Sequence, residues 1–336
     1  MVTTPAVVVT SIHPPSGALE QWAAHFPVIV VADHKTPEVA YAGAPYRLLR
    51  FEGTHRLASS PRNHYSRKNL GYLEAIAAGH DAIIDTDDDT WPNLSPAFLD
   101  IVDAHRSLVH CPDSEYVNVF ALRLPGNRIW PRGFPLGELG RVAAEIQKPR
   151  AGLVEGPVAV VQYLIDGDTD VDAVHRLVFG ALDISFSRVG RLQVLPAGAF
   201  CPFNTQLTLV NAIAFPLLYL PTHVSFRFTD ILRSVIAKRV LDAMGLRFAF
   251  GDPAGYQRRN DHDLFRDFVD EFQMYQNVTT AWDCLRSLSG STMPELVMEA
   301  YEKLAAREVL PTQELPMVDE WLGALTTVTG ASGRTA

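Results

Sequence analysis

Three short runs constrain the fold of this chain more than any other feature. Residues 6–12 (AVVVTSI), 27–33 (PVIVVAD) and 81–85 (DAIID) are apolar and mostly β-branched, without the alternation of a half-solvated strand. Strands apolar on both faces need helices on both sides of a mostly parallel sheet. The intervening segments supply them. Ser16 can cap a helix running to about Phe26, and 45–51 (PYRLLRF) reads as a further strand. Tyr65–Gly79 reads as a helix, with Leu70, Leu73, Ile76 and Ala77 on one face and Gly79 as its stop. The order strand, helix, strand, strand, helix, strand predicts an α/β fold. In such sheets the ligand crevice lies beyond the carboxyl ends of the strands.

The rest is less regular. Residues 116–124, 156–165 and 220–228 read as strands, and 171–179 as a helix after a polar loop. From Thr229 onward the pattern is helical, over 229–244, 261–277, 279–289, 293–307 and 316–326, and the last ten residues read as a flexible tail. No stretch of about 20 apolar residues exists, so no membrane span is expected. The N-terminus reads as a first strand and not a secretory signal, which gives the sequons at Asn93 and Asn277 little weight. Three widely spaced cysteines, Cys111, Cys201 and Cys284, fit reduced thiols in a cytoplasmic protein, without a disulfide framework or zinc site. A net charge of -9 argues against an extended nucleic-acid surface.

The run 80–91, HDAIIDTDDDTW, ends its strand in four aspartates. In an extended segment Asp85, Asp87 and Asp89 share one side, and Asp88 points away. Carboxylates about 4 Å apart repel by about 1 kcal/mol in water and by several in a cleft, so a cation is expected between them. Hard oxygen donors select Mg²⁺ or Mn²⁺, with positions left for a diphosphate. A solvated acidic turn is the alternative; the place at a strand's exit favours the metal. Phosphatases of the haloacid dehalogenase type need Thr or Val two residues after the second aspartate. Asp89 or Trp91 stands there, so that class does not fit.

Four other clusters carry candidate chemistry. Arg67, Lys68 and Asn69 open the helix before the acidic strand, where the helix dipole disfavours cations unless an anion binds. Asp166, Asp168, Asp170 and Asp172 fail the EF-hand pattern, since Val171 and Leu177 occupy the positions of its Gly and Glu. They either cap the following helix or touch a sugar. Asn204 and Gln206 in CPFNTQ have the chemistry to bond sugar hydroxyls. Asp230, in RFTDILRS, is either a helix cap or a general base, and His262 in QRRNDHDL is either a surface histidine or a metal ligand.

In order along residues 6–270, the segments TSIHPPSGAL, VVADHKTP, YSRKNLGYLEAI, IIDTDDDTWP, WPRGFPL, DGDTDVDAVHRL, CPFNTQ, VSFRFTDILRS and QRRNDHDL resemble the STELLO family of glycosyltransferases. The aspartate cluster is more distantly similar to that of the reversibly glycosylated polypeptides, which are UDP-arabinose mutases. The resemblance implies a GT-A-like, Rossmann-type mixed sheet flanked by helices over residues 1–275. Residues 280–336 lie outside the resemblance; the helical pattern there predicts an extension over 276–326, a surface for self-association or an acceptor, and a tail over 327–336.

The resemblance further implies an enzyme transferring a sugar from a nucleotide-diphosphate sugar, UDP-sugar favoured, to an acceptor hydroxyl. Asp87, Asp89 and His262 would hold Mn²⁺ or Mg²⁺, with Asp85 beside them. Ser11, Asp33 and Lys35 would meet the nucleoside, and Arg67 and Asn69 would line the donor pocket. Asp170, Asp172, Asn204 and Gln206 would face the sugar or acceptor, and Asp230 would be the base of an inverting displacement. The alternatives are a retaining mechanism, a nucleotide-sugar mutase, or a module that binds a nucleotide sugar without catalysis. Plant members of the family are membrane-anchored, and this chain departs from them in lacking a span.

Overall fold

The computed structural model describes residues 4–52, 56–93, 108–112, 114–144, 150–151, 158–258 and 263–331. Its chain begins β1 (Ala6–Ser11), α1 (Gly17–Ala23), β2 (Val28–Ala32), β3 (Arg47–Leu49), α2 (Lys68–Ala77), β4 (Ala82–Thr86) and β5 (Thr90–Pro92). It continues through β6 (Leu108–His110), α3 (Val119–Arg123), α4 (Leu139–Ala144), β7 (Arg150–Ala151), β8 (Val158–Gly167), α5 (Ala173–Phe179), β9 (Leu192–Val194) and β10 (Leu207–Asn211). It ends in α6 (Thr229–Ala243), β11 (Arg247–Gln257), α7 (Leu264–Cys284), α8 (Met293–Ala306) and α9 (Leu315–Ala331).

The strands form one mixed sheet in the order β3-β2-β1-β4-β10-β8-β11-β9-β6-β7, with β5 also on β11. The first four are parallel, and β10 runs antiparallel to both β4 and β8. Both faces are covered, as unalternating strands require. Val7 and Val9 of β1 pack with Leu19 and Trp22 of α1, whereas Ala6 and Val8 face Leu70, Leu73 and Ile76 of α2. Ser16 caps α1 by accepting from the Leu19 amide. Helix α2 lies so close to the sheet that a β-carbon at Gly71 would come within 2.6 Å of Val8 and 2.7 Å of Val31. A mixed sheet between helices, with a helical C-terminal region, is the architecture the sequence implied.

Several expected elements differ. Residues 116–124 hold a helix, α3, instead of a strand: Asn118 caps it by accepting from the Ala121 amide, and its amide group donates to the Ile129 carbonyl. Residues 220–228 form turns leading into α6, not a strand. The two helices expected over 261–289 are one, α7, and the boundary placed at 275/276 falls inside it. Across the expected break Val278, Ala281 and Trp282 are buried, and Trp282 stacks on Phe200 at 4.8 Å. Packing here outweighs helix propensity. Strands β9, β10 and β11 were not read from the sequence. Pro253 hides β11, whose register shifts between Gly251 and Gly255, a bulge that removes Pro253 from the ladder.

The C-terminal helices share the main core: Trp282, Tyr301 and Trp321 belong to the same buried cluster as Leu73 of α2 and Val235 of α6. Glu314, just before α9, is fully buried and accepts from Tyr219 Oη at 2.6 Å, the Thr222 amide at 2.9 Å and the His223 amide at 2.7 Å. It thereby fixes the turns that lead into α6. Among the described residues no helix is long and apolar enough to cross a membrane.

Candidate active site

A cleft of roughly 480 Å³ opens at the carboxyl ends of β1, β2 and β4. At one end it is lined by Ser11, Asp33, Lys35 and Arg67, in the middle by Asp87, Asp88 and Asp89, and beyond by Asp170, Asn204, Gln206 and Asp230. Residues up to 247 positions apart in the chain (Thr10 and Gln257) thus meet at one surface. Asp85, Asn69 and Asp172 are not in it, and His262 lies outside the described residues.

The three absences have one cause: each side chain serves the interior. Asp85, on the buried part of β4, lies 2.7 Å from Lys68 Nζ and 2.8 Å from Arg233 Nη1, with all three side chains enclosed. Asn69 accepts from the Leu220 amide at 2.9 Å and donates to the Leu220 carbonyl at 3.0 Å. Asp172 caps α5, accepting from the His175 amide at 2.8 Å and from Trp130 Nε1 at 2.6 Å. Burial pushes the Asp172 carboxyl up to about 7 despite both bonds.

Strand β4 stops at Thr86, and with it the alternation expected to turn Asp88 away. In the turn that follows, Asp88 enters the cleft wall and accepts from Ser11 Oγ. Asp87 accepts from Tyr65 Oη at 2.6 Å, and Asp89 accepts from Gln257 Nε2 at 2.8 Å. Burial raises the Asp87 carboxyl to about 7; Lys68 opposes this and Asp89 adds to it. Among the described residues no three acidic, histidine or cysteine side chains stand close enough to enclose a metal. Two carboxylates suit a divalent ion that takes its other ligands from water and substrate phosphates, so the donor set fits Mn²⁺ or Mg²⁺.

At the Ser11 end of the cleft Asp33 accepts from the amides of His34 at 2.6 Å, Asn63 at 3.0 Å and His64 at 3.2 Å. Its carboxylate therefore shapes a loop as well as lining the cleft. Arg67 donates to the Ala32 and Pro61 carbonyls, and Lys35 is exposed.

The far end is organised by Arg132, a residue the sequence reading passed over. It donates from Nε to both oxygens of Asp170 at 3.0 Å and from Nη1 and Nη2 to Asp230 at 3.0 and 2.8 Å. Burial pushes the Asp170 carboxyl up, but Arg132 and Asn204 outweigh it and the net direction is down. The Tyr65 hydroxyl lies 2.6 Å from both Asp87 Oδ1 and Thr205 Oγ1, and Thr205 adjoins Asp230 at 3.4 Å. Tyr65 and Thr205 thus span the interval between the acidic cluster and Asp230. The signal for Arg132 was its place inside the otherwise apolar WPRGFPL. The next residue, Gly133, has φ +84°, and a β-carbon there would come within 2.4 Å of Ile231.

The family model for STELLO glycosyltransferases matches residues 227–331, reaching through the C-terminal helices that the sequence reading left unassigned. STELLO1 of Arabidopsis thaliana is 27% identical over 289 residues, 80% of this chain and 36% of that protein. STELLO2 of the same plant is 29% identical over 233 residues, 65% of this chain and 30% of that protein. The chain spans about a third of the length of these curated relatives. The resemblance read in the sequence therefore stands. Among solved structures, the mannosyltransferase PcManGT from Pyrobaculum calidifontis, in complex with GDP-Man and Mn²⁺, is 15% identical. It covers 99% of this chain and 79% of its own, with a TM-score of 0.44. Glucosyl-3-phosphoglycerate synthase from Mycobacterium tuberculosis, in complex with Mn²⁺ and UDP-glucose, is 14% identical. It covers 84% of this chain and 78% of its own, with a TM-score of 0.41.

Proposed function

We infer that this relative of the STELLO glycosyltransferases is itself a glycosyltransferase, moving a sugar from a nucleotide-diphosphate sugar to an acceptor hydroxyl. The observation that carries the reading is the meeting of Asp87, Asp88 and Asp89, at the exit of β4, with Ser11, Lys35, Asn204 and Asp230 in one cleft. Mn²⁺ or Mg²⁺ bound by Asp87 and Asp89 would neutralise the departing diphosphate as a Lewis acid. Ser11 and Lys35 hold the nucleoside end, where the exposed Lys35 ammonium suits an anionic donor. Asn204 and Gln206 offer amide groups to sugar hydroxyls, and Asn204 is oriented by its bond to Asp170 at 2.6 Å.

Asp230 is our candidate base for an inverting displacement, taking the acceptor proton as the hydroxyl attacks the anomeric carbon. Both of its oxygens are engaged by Arg132, so proton transfer requires that clamp to loosen. The clamp favours a second reading, in which Asp230 is purely structural and the displacement retains configuration. Donor binding is common to both.

The test is thermal unfolding with nucleotide diphosphates and nucleotide sugars, with and without Mn²⁺. A donor at 100 times its Kd should add about 2.7 kcal/mol of stability, and only with the metal. A full nucleotide panel that leaves the unfolding temperature unmoved rules the function out.

A further inference from the structure

We propose that Phe226 is the platform on which the donor's sugar ring lies. This rests on the reading of the cleft as a nucleotide-sugar site and adds a residue that recognises the sugar. Phe226 is 55% exposed and lines the cleft. An exposed phenylalanine is ordinary on its own, but this one is held in place on both sides. The Ser225 amide donates to Gln273 Oε1 at 2.6 Å, and Arg227 donates to Asp267 Oδ1 at 3.0 and 2.7 Å. Thr222 and His223, just upstream, are fixed by Glu314. The ring is thus presented to the cleft by a braced segment.

Its position selects the sugar over the base. Phe226 packs edge-to-face on Tyr65 with centroids 5.7 Å apart, and the Tyr65 hydroxyl bridges Asp87 and Thr205. A transferred sugar has to sit between the diphosphate, at Asp87, and the attacking hydroxyl, near Asp230. The nucleoside end is lined instead by Ile12 and Asp33. A sugar ring offers hydroxyls at its rim and C–H groups on its face. Asn204 and Gln206 suit the rim, and an aromatic face suits the C–H groups. Pockets of this kind combine a few placed polar groups with aromatic surface.

The experiment compares UDP with UDP-glucose and GDP with GDP-mannose, each with Mn²⁺, by calorimetry. The affinity gained from nucleotide to nucleotide sugar is the readout. Phe226→Ala should lower that gain about tenfold, leave nucleotide affinity within about twofold, and unfold at an unchanged temperature, while Phe226→Trp should keep the gain. A gain that Phe226→Ala leaves intact, or equal weakening of nucleotide and nucleotide sugar, overturns this inference and leaves the proposed function standing. An unaltered chain that binds none of the four overturns both.

Discussion

Arg132 and Asp230, 98 positions apart, form a two-pronged ion pair: Nη1 meets Oδ1 at 3.0 Å and Nη2 meets Oδ2 at 2.8 Å. Because the same guanidinium holds Asp170, one side chain aligns two carboxylates of the cleft. Asp230→Asn should keep nucleotide affinity and lower turnover about 10²-fold or more if Asp230 takes the proton. Steady-state kinetics beside nucleotide titration checks this; unchanged turnover would remove Asp230 from the chemistry. Arg132→Met takes the cation from buried Asp230 and half-buried Asp170 and should cost about 3–5 kcal/mol in urea unfolding.

Asp89→Ala and Asp85→Asn should have opposite signatures. Asp89 lies in the cleft, so its loss should abolish Mn²⁺-dependent nucleotide binding and leave the unfolding temperature of the free protein little changed. Asp85 is enclosed between Lys68 and Arg233. Neutralising it takes the ion pair from buried Arg233 and leaves Lys68 only Asp87, 3.6 Å away, and should cost about 3–5 kcal/mol. Calorimetric nucleotide titration and denaturant melts on both variants separate the effects.

Asp172 predicts a pH dependence. Its carboxyl titrates near 7 in the folded chain, against 3.8 as its ordinary value. Between those values the folded state holds a proton that the unfolded state has released. Stability from this group is therefore present at low pH and is lost as pH rises from about 4 to about 7, by at most about 1.4 kcal/mol per pH unit. Unfolding free energies across that range should fall less steeply for Asp172→Asn.

Gly71→Ala tests the approach of α2 to the sheet. The added methyl would meet Val8 and Val31 at under 3 Å, and neither strand can retreat between its neighbours. Overpacking of this kind costs typically about 1–3 kcal/mol, readable as a lowered unfolding midpoint in urea.

What the sequence disclosed and what it hid divide by the range of the interactions. The cap at Ser16 and the burial of β1, β2 and β4 were legible because neighbours in the chain determine them. Asp87 and Asp89 line the cleft as their place at a strand's exit predicts, and Ser11 and Lys35 line it as the family resemblance implies. Asn69, Asp85 and Asp172 looked equally functional, yet their partners Leu220, Arg233 and Trp130 are remote in sequence and claim them for the interior. Arg132 stands out locally as the one charge in WPRGFPL, but its partners Asp170 and Asp230 lie 38 and 98 positions away and the local sequence does not point to them.

Glu314 arrives when nearly all of the chain has been laid down, and its carboxylate steadies the turns that carry Phe226 toward the cleft. A fragment ending before Thr312 would retain every described residue of the cleft and lose the brace behind one wall. The final helices are therefore not detachable cargo. Changes in them should be felt at the cleft wall that Glu314 braces, so the two parts are best expressed and redesigned together.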